Sequence, residues 1–324
     1  CAALSRRPFM SRAFVFPGQG SQSVGMLAQF AAADSVVVDT YAEASAILGY
    51  DLWQLVSQGP AESLNETRQQ QPAMLAADVA TWRLWRNAGG APPDVVCGHS
   101  LGEFAALVAA DAISFHDAVD VVRARAALMQ EAVPAGVGAM AAVLGLDDAD
   151  VASACTAAAQ GEVVEPVNFN SPGQVVIAGH ATAVGRAIEL CKAKGARRAV
   201  HLPMTVPSHS SLMQPAALAF GKRLATLELR KPALAFWSPV DAARHDEPDD
   251  IRALLQRQLA SAVRWTDLVS TLLAQGVRDF VECGPGKVLT SLNRRIDKDP
   301  SIRCLALQDP DSLAAALATP AGPT

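Results

Sequence analysis

Gly98-His99-Ser100-Leu101-Gly102 constrains this chain more than any other stretch. An apolar run, Val95-Val96-Cys97, precedes it, bounded upstream by Pro92-Pro93-Asp94. A stretch rich in Leu, Ala and Glu, Leu101 to Ala110, follows and reads as a helix. Strand, sharp Gly-x-Ser-x-Gly turn and helix together make the context of a nucleophile elbow. The two glycines let backbones approach closely, and the turn tolerates a strained serine. The helix start just after Ser100 points N–H groups to where an oxyanion could form. The plainer alternative is a strand-to-helix turn with an ordinary serine, and the elbow alone leaves both open.

Composition narrows the classes. The chain has 324 residues, half of them hydrophobic and 18% charged, so a sizeable core is expected and disorder is not. A net charge of −5 supplies no basic excess to neutralise phosphates, which argues against a nucleic-acid role. Six cysteines, at 1, 97, 155, 191, 283 and 304, are scattered without a Cys-x-x-Cys pair. That fits a reducing compartment and no zinc ribbon. No uninterrupted apolar run reaches transmembrane length. Residues 1–12 carry three Arg and no acid but lack the apolar core of a secretory signal. They read as an extension ahead of Met10, with a transit-peptide remnant as the alternative.

Along the chain, Ala13–Phe16 suits a buried parallel strand and ends in the loop Pro17-Gly18-Gln19-Gly20. Ser23 stands where a dinucleotide fingerprint needs its third glycine. Gln71 to Ala88 reads as a helix with Pro72 near its first turn and a core-facing stripe of Leu75, Val79, Trp82 and Trp85. A second helix runs from about Phe115 to Ala132 behind a capping start at Ser114 and Asp117. Between about 136 and 203 the order becomes β-α-β-β-α-β, the ferredoxin-like unit. Alternating strands and helices then resume, which argues for a parallel sheet covered on both faces. The expected fold is α/β. A large α/β-hydrolase-like domain (11–135 and 204–318) carries the parallel sheet and the elbow, and a small ferredoxin-like domain (136–203) is inserted into it.

A serine nucleophile needs a base. His99 lies inside the elbow, too close along the strand to reach Ser100 Oγ easily. His116 sits in a first helical turn and His245 in the charged loop Arg244-His245-Asp246-Glu247; both read as solvated. His180 ends a strand and His201 alternates in one. His209 follows Val206-Pro207-Ser208 where the chain returns from the insertion, a junction of the kind that carries ligand groups. It is the best candidate of the six. Arg125 has Val121, Val122, Leu128 and Met129 three and four positions away, all apolar. Arg is almost never buried without a partner, so something anionic should meet it. An internal acid or a snorkelling side chain is one answer; a bidentate clamp on a substrate carboxylate is the other. Glu282-Cys283-Gly284-Pro285-Gly286-Lys287 fails as a phosphate loop, because Val281 stands where the first glycine is needed. It reads as a strand-to-helix turn.

Five motifs stand in this order: Phe16-Pro17-Gly18-Gln19-Gly20-Ser21-Gln22, Gly98 to Glu103, Val167-Asn168-Phe169-Asn170-Ser171-Pro172-Gly173-Gln174, Val206-Pro207-Ser208-His209, and Glu282 to Lys287. Together they resemble the motifs of the malonyl-CoA:acyl carrier protein transacylases, the acyl-loading enzymes of type II fatty acid synthesis. The resemblance runs from about Ala13 to the last helix. It implies Ser100 as the nucleophile, His209 as its general base, Arg125 on the malonyl carboxylate, and the backbone N–H groups of Leu101 and Gln19 as the oxyanion hole. Gln258 would hold the histidine through its backbone carbonyl, so no triad acid is nominated. Two stretches depart from the family pattern: Ser261-Ala262 stands for an Asn-Pro pair, and Ser238-Pro239 precedes Val240-Asp241 where the family often has Asn before its Val-Asp pair.

The resemblance further implies malonyl-CoA as donor, acyl carrier protein as acceptor, a malonyl-serine intermediate, and neither a metal nor a redox cofactor. A cytoplasmic monomer without nucleic-acid or membrane partners is expected. The alternatives are a serine esterase or thioesterase and a discrete polyketide-synthase acyltransferase. Because acyl carrier proteins are acidic, docking calls for local basic surface. Lys192, Lys194, Arg197 and Arg198 form one candidate cluster; Arg294 and Arg295 form the other.

Overall fold

Ala13, Phe14, Val15 and Phe16 are all fully buried, and the strand they form lies in the middle of the larger of two sheets. In this computed structural model, residues 11–134 and 136–319 are described. The reading of residues 1–10 as an extension falls outside them. Among the described residues the strands are β1 (Ser11–Phe16), β2 (Val95–Gly98), β3 (Gly138–Leu144), β4 (Val164–Ser171), β5 (Gln174–His180), β6 (Arg198–His201), β7 (Ala235–Ser238), β8 (Ala243–His245), β9 (Val277–Glu282) and β10 (Arg303–Ala306).

The larger sheet has the order β10-β9-β1-β2-β7-β8. Its first five strands run parallel, and β1 pairs with β2 so that Phe16 lies opposite Gly98. Buried on both faces, Ala13–Phe16 are apolar at four successive positions, which is why β1 reads there as a run and not as an alternation, and Arg12 before them is buried against Asp279. Burying Phe14 and Phe16 contributes about 1.5–3 kcal/mol each. Phe14 packs edge-to-face on Trp82 and Trp85, with ring centroids 5.6 and 5.1 Å away, so the tryptophan stripe is core.

The expected all-parallel sheet needs a correction. β8 pairs antiparallel with β7 at the edge. Only residues 239–242 join the two, far too few for the crossover that a parallel pair requires. His245 therefore lies in a strand, not a solvated loop, and its Nε2 is 3.1 Å from Asp241 Oδ1.

The tryptophan-bearing helix spans Thr67–Asn87 and starts four residues earlier than expected. Gln69 and Gln70 donate backbone bonds to the Glu66 carbonyl, so a full turn forms ahead of Pro72. Pro72 then lies inside the helix and forgoes one bond, to the carbonyl four residues back. The early start places Gln70 and Gln71 in the buried interior. The next long helix is Phe115–Glu131, where the Ser114 hydroxyl accepts from the Asp117 N–H at 3.0 Å. At the end of β9, the Glu282 carboxylate accepts from the N–H groups of Leu289 (3.0 Å) and Thr290 (2.7 Å). It caps the helix Val288–Ile296, and the glycine-rich segment between is the strand-to-helix turn the sequence suggests.

The smaller sheet is antiparallel throughout, in the order β4-β5-β3-β6. Helices Asp148–Ala159 and Ala181–Ala193 cover it, with Val143, Val151, Val175, Ile177, Val184 and Ile188 in a core of its own. Strand β4 ties it to the larger unit: Phe169 N–H donates to the Val263 carbonyl (2.9 Å) and Val263 N–H to the Val167 carbonyl (2.8 Å). No described helix is long and apolar enough to cross a membrane.

Candidate active site

Parallel pairing of β1 and β2 brings the loops after their C-terminal ends together, where α/β sheets place their sites. Ser100 sits at the tip of the β2 turn with φ +53°, in the left-handed region that non-glycine residues rarely adopt. The turn needs glycine where it crosses β1: a Cβ on Gly102 would stand 2.1 Å from the Phe16 carbonyl oxygen. The β1 loop lies as close from its own side, since a Cβ on Gly18 would meet the His99 carbonyl oxygen at 2.4 Å. Gln19, the next residue, is thereby held beside the elbow. The backbone N–H groups of Gln19 and Leu101 have no acceptor among the described residues, and the helix Gly102–Ala109 begins just beyond.

His209 arrives from the loop after β6 with φ +68°. Its own N–H donates to the Leu259 carbonyl at 3.0 Å, which pins the loop. Its Nδ1 is 2.9 Å from the Gln258 carbonyl oxygen. A carbonyl only accepts, so Nδ1 carries the hydrogen and Nε2 keeps its lone pair. Burial, reinforced by the nearby Arg125 charge, pulls His209 down from 6.5 to about 3. The backbones of Gln258 and Ser261 pull it the other way, so with Asn replaced at this position the backbone there still acts on the imidazole.

Arg125 is fully buried. Its Nη1 donates to Gln71 Oε1 (2.6 Å) and its Nη2 to Ser100 Oγ (3.0 Å) and Gln258 Oε1 (2.8 Å). Burial lowers it to about 10, so it stays charged at neutrality. Among the described residues no carboxylate pairs with it directly. Of the answers to its burial, snorkelling fails; the internal acid whose charge Arg125 feels is Glu103, which reaches it through the Gln258 amide and not as a direct salt bridge among the described residues. Ser100 Oγ is engaged with Arg125, and no hydrogen bond joins it to His209 among the described residues.

Gln258 does more than hold the histidine. Its side-chain Nε2 donates to the Ser100 carbonyl (2.9 Å) and to Glu103 Oε1 (2.7 Å) while its Oε1 accepts from Arg125. Glu103, fully buried in the first turn of the elbow helix, is raised to about 7 by burial, with Gln258, the Ser238 hydroxyl and Arg125 pulling the other way. His99 turns away from Ser100: its Nε2 is 3.0 Å from Asn170 Oδ1 on β4, and its ring lies 5.7 Å from that of Trp265. Burial lowers its pKa, against the Asn170 bond. Of the other histidines, His116 and His201 are exposed and the His180 Nδ1 accepts from Val163 N–H.

A cleft of about 400 Å³ runs between the two sheets, with Gln19, His99, Asn168, Asn170, Met204 and Leu292 on its wall. The wall stops at Gln19 and His99; Ser100, at 7% exposed, and the more deeply buried His209 and Arg125 lie beyond it. Sequence reading assigned no role to Gln71, Glu103 or the Gln258 side chain. Glu103 carries the same signal that marked Arg125: a charge among Leu, Phe and Ala neighbours. Gln71 carries none, because an amide at one helical position is unremarkable.

The acyl transferase domain model matches residues 13–305. A malonyl CoA-acyl carrier protein transacylase of Escherichia coli is 55% identical over 305 residues, covering 94% of this chain and 98% of that protein. A crystal structure of an acyl carrier protein S-malonyltransferase from Vibrio cholerae has a TM-score of 0.91 at 55% identity, covering 94% of this chain and 99% of that one. A malonyl-transacylase in complex with a type II PKS acyl-carrier protein has a TM-score of 0.93 at 51% identity, covering 95% and 99%.

Proposed function

This chain belongs to the malonyl CoA-acyl carrier protein transacylase family of acyltransferases, and on that premise we propose how its residues move a malonyl group from malonyl-CoA to the carrier thiol. The observation that carries the assignment is Arg125: a buried, charged guanidinium with no acid in direct salt bridge to it among the described residues, one of whose nitrogens lies 3.0 Å from the nucleophile. An acyl group with a free carboxylate supplies the missing anion.

His209 is neutral at working pH and takes the Ser100 proton on Nε2 as Oγ attacks the thioester carbon. Arg125 exchanges the Ser100 hydroxyl for the malonyl carboxylate. Oxyanion charge falls on the N–H groups of Leu101 and Gln19. Collapse breaks the C–S bond, and CoA leaves as a thiol with the proton from His209. The carrier's phosphopantetheine thiol then gives His209 its proton, attacks the malonyl-serine, and Ser100 leaves reprotonated. No metal or redox group enters this balance. A monomeric enzyme is part of this proposal. The described cysteines are unpaired and buried, which supports a reducing, cytoplasmic setting.

The fold reading follows the same lines. The order β4-β5-β3-β6, with two helices on one core, supports a ferredoxin-like domain (136–203) inserted into a hydrolase-like one (11–135 and 204–318). A crystal structure with another strand order would overturn it.

Acyl carrier protein is the proposed partner. Arg294 and Arg295 are exposed on the helix whose Leu289 and Leu292 line the cleft; in the other candidate cluster Lys192 and Lys194 are paired with Glu189 and Asp150, and Arg197 and Arg198 are exposed. Arg294→Glu with Arg295→Glu is expected to raise the KM for carrier about two- to tenfold; an unchanged KM dismisses the patch. The relatives do not favour either alternative, hydrolase or discrete polyketide-synthase acyltransferase. The partition of the acyl-enzyme tests the function. Malonyl-serine is expected to persist until holo-carrier is added, and rapid release of free malonate without carrier would mean a hydrolase.

A further inference from the structure

We propose that Glu103 is a positioning residue for malonyl selectivity, acting on Arg125 through the Gln258 amide. The inference rests on the assignment of Arg125 to the malonyl carboxylate.

Each polar group of the Gln258 side chain has a fixed duty. Both Nε2 hydrogens are used, one on the Ser100 carbonyl (2.9 Å) and one on Glu103 Oε1 (2.7 Å). Oε1 accepts from Arg125 Nη2 (2.8 Å). An amide can present either end, and the ends differ only in what they can bond. Were it flipped, its NH2 would face the guanidinium, donor against donor. Once ionised, the Glu103 carboxylate only accepts toward that amide, so it holds the productive orientation; a neutral amide at 103 could meet either end. Glu103, Gln258, Arg125 and Ser100 are all buried, so water does not substitute for a lost bond. Glu103 is also the acid whose charge Arg125 feels. Its partner is the Gln258 amide, which leaves Arg125 charged, oriented and without a direct salt bridge. A direct Glu103–Arg125 pair would compete with the substrate carboxylate.

Glu103 touches neither substrate nor reacting atoms. Its removal therefore falls on the step that needs Arg125 aimed, which is recognition of the free carboxylate, while thioester attack by Ser100 depends on His209 and the backbone. Glu103→Gln is expected to lower the malonyl-to-acetyl ratio of kcat/KM about tenfold. In an Arg125→Ala background the same change should move malonyl kcat/KM less than about twofold, because the two act as one unit. Glu103→Asp, too short to reach the amide, provides a second variant if Glu103→Gln does not fold; it should repeat the selective loss. Equal loss on both acyl donors, or a Glu103 effect undiminished without Arg125, would show a merely structural role and overturn the proposal. Arg125→Ala by itself separates the two readings. If it keeps malonyl preference, the assignment of Arg125 fails. If it loses preference while the Glu103 variants retain theirs, only this inference fails.

Discussion

Arg125→Ala lowers kcat/KM for malonyl-CoA by about 10²–10³-fold and costs acetyl-CoA far less. The size follows from burial. The guanidinium is fully desolvated in the folded protein, held by the neutral oxygens of Gln71, Gln258 and Ser100. A malonyl carboxylate entering that site loses its own water and recovers it only through a charged, bidentate partner. With alanine there, the carboxylate is buried unpaired. An acetyl group brings no charge and incurs no such penalty. Steady-state kinetics with the two acyl-CoA donors measure the ratio, and an Arg125→Ala enzyme that still strongly prefers malonyl-CoA contradicts the clamp.

His209→Ala is expected to slow acylation of Ser100 by about 10²–10⁴-fold, the range general-base removal produces. The pH dependence carries independent information. The base must be neutral to accept the serine proton. Its pKa is pulled from 6.5 to about 3 by burial and by Arg125, so it remains neutral well below the ordinary imidazole range. The acid limb of kcat/KM due to this group should therefore lie far below pH 6.5. The same shift bears on stability. Unfolded His209 takes up a proton near 6.5 and the folded one does not. Its contribution is complete above that pH and is lost as pH falls toward about 3. A His209→Ala enzyme should lack that share of acid lability; a wild-type acid limb centred at 6.5 would mean that His209 is solvated in the working enzyme.

Much of this site is legible in the sequence because its signals are local. The elbow needs one apolar strand, two glycines and one helix within sixteen residues, 95–110, and each leaves a mark. Arg125 declares itself through apolar neighbours at helical spacing. His209 stands out by its place at the return from the small sheet. What escapes is what depends on distant contacts. Gln258 lies 158 residues from Ser100 in sequence, and nothing near it tells that its amide reaches the Ser100 carbonyl. Gln71 becomes part of the site only because the helix begins at Thr67 and faces Arg125. The edge strand Ala243–His245 escapes because its charged residues read as a loop until β7 pairs with them. Glu103 is the intermediate case, a buried charge with a visible signal whose partner, Gln258, is far along the chain.

The central claim is that Ser100 carries the malonyl group between donor and carrier, and intact protein mass tests it most directly. Mixed with malonyl-CoA alone, the wild-type protein should gain the mass of one malonyl group and lose it on addition of holo-carrier. Ser100→Ala should gain nothing. A Ser100→Ala protein that still becomes malonylated, or a wild-type protein that transfers malonyl without ever carrying it, would contradict the account.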